Sequence, residues 1–147
     1  MEPLDRRIVN ELQGGFPVCE APYAAAAATL GITEAELVER IRRLLDEGVL
    51  SRFGPLYNAE RMGGAVTLAA MAVPDEHVDG VAARINARPE VAHNYERTHR
   101  LNLWFVVCVD DPQRLPAVLD EIEYETGMPV YDMPKEREYY IGLRIEA

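Results

Sequence analysis

At Met62-Gly63-Gly64 the spacing of apolar residues changes, and that switch divides the chain into two differently built parts. Before it, apolar residues recur at helical intervals. Leu4, Ile8, Val9 and Leu12 mark a first helix that stops at Gly14-Gly15. Tyr23 to Leu30 is a short alanine-rich helix ended by Gly31. Thr33, with Glu36 three residues on, forms a capping box that opens a third helix, whose buried stripe is Leu37, Ile41, Leu44 and Leu45 and whose stop is Gly48. Val49 to Phe53 reads as a short strand after these helices, so residues 1–62 outline a winged helix-turn-helix.

After the switch, strands alternate with helices. Ala65 to Val73 is a strand of small and β-branched residues, ended by Pro74-Asp75, and Val78, Val81, Ala82 and Ile85 then mark a helix. Val91–Thr98 and Leu101–Val109 are strands joined at His99-Arg100. A helix from Pro112 to about Thr126 follows, and the proline-bearing segment Met128 to Lys135 leads into a final strand from about Glu138 to Ile145. The order β-α-β-β-α-β predicts a ferredoxin-like domain over residues 63–147, and the whole chain is then of the α+β class.

Charge narrows the function. Fifteen basic residues against 25 acidic ones leave a net charge of −10, which works against nonspecific DNA binding, where affinity comes from neutralising phosphates. The helix from Glu34 to Glu47, where a DNA reader should be basic, carries five acids against three arginines. Lys135 is the single lysine, so positive charge is almost all arginine, the residue suited to two-pronged capture of carboxylates. No stretch approaches the roughly 20 apolar residues of a membrane span. The charged start Met1-Glu2-Pro3-Leu4-Asp5-Arg6-Arg7 lacks the apolar core of a secretory signal, and Cys19 and Cys108 have no metal-site spacing. A cytoplasmic protein is expected.

The chemistry concentrates in the predicted hairpin. Alternation along a strand sends His93, Tyr95 and Arg97 to one face and Asn94, Glu96 and Thr98 to the other. On the next strand Leu101, Leu103, Phe105 and Val107 form an apolar set suited to lie under helices. Asn102, Trp104, Val106 and Cys108 oppose them, although Cys108 itself reads as core. The helix-free face would then carry an imidazole, a phenol, a guanidinium and a large aromatic plane. Plain alternatives exist: Arg97 could pair with Glu96, Trp104 could be core, and His77 reads as surface.

A helix-turn-helix opening with Leu4-Asp5-Arg6-Arg7-Ile8, followed by a ferredoxin-like domain, resembles the Lrp/AsnC family of regulators, whose second domain dimerises through its sheet and binds amino acids. The run His93-Asn94-Tyr95-Glu96-Arg97-Thr98-His99-Arg100-Leu101-Asn102-Leu103-Trp104-Phe105 is more specific. With Arg52-Phe53-Gly54-Pro55 and the closing segment Pro129 to Arg144, it resembles the sirohaem decarboxylases, an enzyme branch with Lrp/AsnC-like architecture that includes the Nir D, L, G and H subunits of haem d1 biosynthesis. The resemblance implies a sirohaem substrate that loses ring-acetate carboxyls as CO₂ to give didecarboxysirohaem. No cofactor beyond the iron tetrapyrrole itself is implied. His93 or His99 would supply the proton or meet the substrate iron as an axial ligand, and Tyr95 would assist. Arg52, Arg97, Asn102, Trp104 and Arg144 would bind substrate. A flat macrocycle with many carboxylates suits such a mixture of aromatic, cationic and imidazole groups. A homodimer, or a heterodimer with a homologous subunit, is expected, without DNA or membrane partners. Two other roles stand beside the enzyme: a DNA-binding regulator, and a noncatalytic haem-binding partner.

Overall fold

The structure is a computed structural model that describes every residue except Leu56, Ile141 and Leu143. Contacts divide the chain into two compact units, Met1–Leu56 with Tyr140–Ala147, and Tyr57–Tyr139. This division differs from the boundary read at 62/63, because the closing residues group with the helices.

The helical unit holds α1 (Pro3–Leu12), α2 (Pro22–Leu30) and α3 (Glu34–Asp46). Pro3 starts α1 where a missing N–H costs nothing, and Glu2 and Asp5 cap each other reciprocally. Thr33 Oγ1 accepts the Glu36 N–H at 3.2 Å, as the capping box requires. Gly31 ends α2 with φ +70°, a conformation that disfavours any side chain. Ile8, Ala26, Ala27, Leu30, Leu37 and Ile41 form the core. The short strand expected over Val49–Phe53 does not form. Leu50 N–H instead donates to Leu44 O at 2.9 Å, closing the end of α3. Phe53 packs edge-on against Phe16, with ring centroids 5.0 Å apart. The apolar residues that suggested a wing are thus used by the helical core. In the same unit, the Gln13 side-chain amide clasps Ile145, donating to its O and accepting from its N, both at 2.9 Å.

The second unit is a four-stranded antiparallel sheet in the order β2-β3-β1-β4, built from β1 (Ala65–Met71), β2 (Val91–Glu96), β3 (Leu103–Val109) and β4 (Val130–Met133). Helices α4 (Val78–Asn86) and α5 (Arg114–Thr126) complete the β-α-β-β-α-β order. The sheet presents Ala69, Met71, Leu103, Phe105, Val107 and Val109 to Val78, Val81, Ile85, Val118, Leu119 and Ile122 of the helices. The last strand is a correction to the sequence-based expectation. It lies at Val130–Met133 and pairs with β1 from Leu68↔Met133 to Met71↔Val130, and the described residues of the range 138–145 form no strand. After Gly127 ends α5 in the left-handed conformation, Val130 N–H is held by the Glu123 carboxylate at 3.0 Å, so the chain enters the sheet at once. Pro129 and Pro134 bracket the strand, as an edge position allows. Ile141 and Leu143 of the expected strand lie outside the described residues.

Candidate functional site

The site grows from a flaw in strand pairing. Strict alternation would put Val91 on the same face as His93 and Tyr95. Val91 pairs with Val107 but His93 pairs with Val106, so one extra residue, Ala92, is accommodated between them. The bulge lets Val91 pack toward the core while His93 and Tyr95 point away from the helices. Re-aiming side chains in this way is a recurrent use of bulges. Their rings stack at 6.1 Å with an interplanar angle of 17°, and Tyr95 is 55% exposed. Asn94 points oppositely, toward α4, where it donates to Asn86 Oδ1 at 2.9 Å.

Both strands are shorter at the turn than the sequence suggested. β2 ends at Glu96 and β3 begins at Leu103, so Arg97, His99 and Asn102 stand on a loop rather than on strands. The simple alternation argument therefore does not carry as far as Arg97. The loop is closed by Arg97 N–H donating to Asn102 O at 2.7 Å and His99 N–H to Arg97 O at 2.9 Å. Asn102 ties it to the end of β1: its amide donates to Val73 O and accepts from Val73 N, each at 2.8 Å. That amide is committed to the backbone. Asp75, Glu96, Arg97, Thr98, His99 and Asn102 line a concavity of about 530 Å³, open to solvent. Arg97 is exposed, and among the described residues it makes no ion pair, with Glu96 or any other acid.

Trp104 is half-buried on the helix-free face, opposite Tyr95 in the register. Its indole N–H donates to Leu101 O at 2.6 Å, and its ring lies 6.2 Å from that of His99. Leu101 N–H in turn donates to His99 Nδ1 at 3.1 Å. Cys108, expected in the core, is instead half-buried on this same face, and partial burial pushes its thiol above the ordinary range. His77 is exposed on the turn Asp75–His77, as expected.

The sequence missed part of this face. The register places Tyr131 beside Ala70 and Met133 beside Leu68, so an exposed phenol joins the exposed Leu68 on the helix-free side. The signal was present in Val130-Tyr131, two strand formers between prolines. Arg52 and Arg144 belong to the other unit, both exposed.

On α3 the arginines are spent. Arg40 meets Asp5 at 2.8 Å, Glu2 at 2.9 Å and Glu36 at 3.2 Å, Arg43 meets Asp5 at 2.7 Å, and Arg42 meets Glu39 at 3.0 Å. Asp5 is only 2% exposed. Burial works to raise its pKa, but hydrogen bonds from Arg40 and the Glu2 backbone, with the charges of both arginines, hold the carboxyl below its ordinary value.

Comparison with known proteins agrees with both units. Residues 5–50 match the siroheme decarboxylase NirDL-like HTH domain, and residues 61–140 match the AsnC-like ligand binding domain. The chain is 47% identical over 147 residues to the siroheme decarboxylase NirG subunit of Paracoccus pantotrophus, covering 100% of this chain and 94% of that one. It is 48% identical over 143 residues to the siroheme decarboxylase NirD subunit of Pseudomonas aeruginosa, covering 97% and 95%. The crystal structure of the siroheme decarboxylase NirDL superposes with a TM-score of 0.67 at 29% identity, over 89% of this chain and 43% of that one, so the chain spans less than half of that longer polypeptide. The leucine response regulatory protein of Mycobacterium tuberculosis shares the fold, with a TM-score of 0.75 at 19% identity over 100% of both chains. The chain belongs to the sirohaem decarboxylase family, with the NirD and NirG subunits.

Proposed function

We propose that the chain is a sirohaem decarboxylase subunit that removes ring-acetate carboxyls of sirohaem as CO₂, giving didecarboxysirohaem in haem d1 biosynthesis. The observation that carries this is the unpaired set on the β2–β3 hairpin: His93 and Tyr95 re-aimed by the bulge, and Arg97 free of any carboxylate of its own among the described residues. Arg97 offers a planar two-pronged donor to an acetate or propionate group, and Arg52 and Arg144 are further candidates for such contacts. Tyr95, Tyr131 and Trp104 offer flat apolar surface to the macrocycle. Asn102 serves the site by fixing the loop.

The chemistry asks little more. The bond between the ring methylene and its carboxylate breaks, CO₂ leaves, and the electron pair stays on carbon. A proton then converts the methylene to a methyl group. Imidazolium can supply that proton near neutral pH without extreme tuning, and an exposed ring regains it from solvent. The iron arrives with the substrate, and an imidazole nitrogen is a suitable axial ligand for it.

A homologous subunit as partner, in a homodimer or heterodimer, is supported by the exposed Leu68 and Tyr131 on the helix-free face and by the length of the solved NirDL chain, which leaves room for a second unit of this kind. The regulator reading is disfavoured because every arginine of α3 already faces a carboxylate. Among the described residues no helix is long and apolar enough to cross a membrane.

Anaerobic incubation with sirohaem, alone and with a homologous subunit, tests the proposal through absorption spectrum and product mass. Loss of mass in steps of one CO₂ is expected. Spectral binding without mass loss under both conditions would make the chain a noncatalytic partner, and neither binding nor mass loss would return it to the regulators.

A further inference from the structure

The two histidines of the hairpin are held in different ways. His99 Nδ1 lies 3.1 Å from Leu101 N and 3.3 Å from Leu101 O. A backbone N–H can only donate, so the shorter contact requires a lone pair on Nδ1. The carbonyl is the weaker claimant, because Leu101 O already receives the indole N–H of Trp104 at 2.6 Å. A neutral ring with its lone pair on Nδ1 carries its proton on Nε2. His93, by contrast, has no hydrogen-bond partner among the described residues and touches Tyr95 only by stacking.

We infer that the two rings divide the work: Leu101 confines His99 to the neutral form with Nε2–H, a hydrogen-bond donor for a substrate carboxylate, and His93 is the proton donor. In that form His99 has no Nε2 lone pair for iron. Nor can it deliver a proton from Nε2 as imidazolium, since the neutral ring left behind would hold its remaining hydrogen on Nδ1, against the Leu101 N–H. His93 meets neither restriction. Its imidazolium gives one proton to the carbon that has lost CO₂, becomes neutral, and is reprotonated by solvent. Trp104 is then a positioning residue that acts through Leu101, in addition to any contact it makes with the macrocycle. The division of roles rests on decarboxylation at this hairpin, whereas the tautomer of His99 does not.

The two parts are tested separately. In ¹⁵N-histidine-labelled protein, long-range ¹H–¹⁵N spectra report which nitrogen carries hydrogen, and the three histidines are assigned by single substitution. His99 is expected to show a hydrogen on Nε2 and none on Nδ1 at neutral pH, and this preference is expected to weaken in Trp104→Phe, which keeps an aromatic ring but loses the indole donor. A hydrogen on Nδ1 of His99 would overturn the assignment. In kinetics, His99→Gln keeps an N–H near the Nε2 position and is expected to raise KM, with a loss in kcat/KM of no more than about tenfold. His93→Gln cannot transfer a proton and is expected to lose at least about 100-fold in kcat. Equal losses in kcat for the two variants would overturn the division of labour. If the wild-type chain, with its partner present, releases no CO₂, the decarboxylase proposal and the assigned roles fall together, and the spectra still decide the tautomer.

Discussion

Helix α3 and the β2–β3 hairpin both carry arginines, but they use them oppositely. Arg40, Arg42 and Arg43 of α3 are each answered by a carboxylate within 3.0 Å, whereas Arg97 on the hairpin is answered by none among the described residues. The same guanidinium is a fastener on α3, as it is for Arg88 and Arg114 of the sheet unit, and an open contact at Arg97. A basic residue count therefore says little about a binding surface until the acids around each base are known. The helix-turn-helix matched over residues 5–50 has the arginines of α3 turned to internal use.

The largest expected effect lies on the open side of this contrast. Replacing His93 and His99 together by alanine should lower CO₂ release by at least about a thousandfold, within the range of lost acid catalysis, while circular dichroism stays native; full activity in the double variant would erase the distinction between helix and hairpin. Arg97→Ala should weaken sirohaem binding by roughly 10- to 100-fold, the loss of a charged hydrogen bond of about 1.5–3 kcal/mol, measured by spectral titration. Arg42→Ala, in the helical unit, should leave that titration unchanged.

The smallest effect belongs to the closed side and concerns stability. Asp5→Asn should cost about 1.5–3 kcal/mol, the scale of a charge-assisted hydrogen bond, read by denaturant titration. The carboxyl of Asp5 has a folded pKa below its unfolded one. Its stabilisation is thus fully present above the unfolded value, near pH 4, and is lost as pH falls through the lower folded value. Between pH 5 and 2, on the order of that window, the melting temperature of the wild type should drop more steeply than that of the Asn variant. Parallel curves would show that Asp5 is not the group being protonated.

Much of this was legible because it is local. The stripe Leu37, Ile41, Leu44 and the set Leu103, Phe105, Val107 announce their buried faces by spacing alone, and both faces are found as expected. What escaped depends on partners distant in sequence. Val49 to Phe53 has strand composition but no strand to pair with, and Leu44, Phe16 and Tyr23 claim it first. Val130–Met133 reads as a connection because of the prolines on either side of it, although an edge beside β1 tolerates them. The bulge at Ala92 has no mark in the sequence, being a compromise between Val91, which must be buried, and the register with β3. Asn102 showed its polarity but not that Val73 would use both ends of its amide.

The clasp between Gln13 and Ile145 has a consequence for synthesis. The two residues stand 132 positions apart, so when the ribosome has finished α3, α1 still lacks the backbone groups that its Gln13 amide will hold. The sheet unit, which needs only residues 57–139, is complete earlier. The part translated first is thus the part finished last, because its closing residues join the chain only after every residue of the sheet unit has been added.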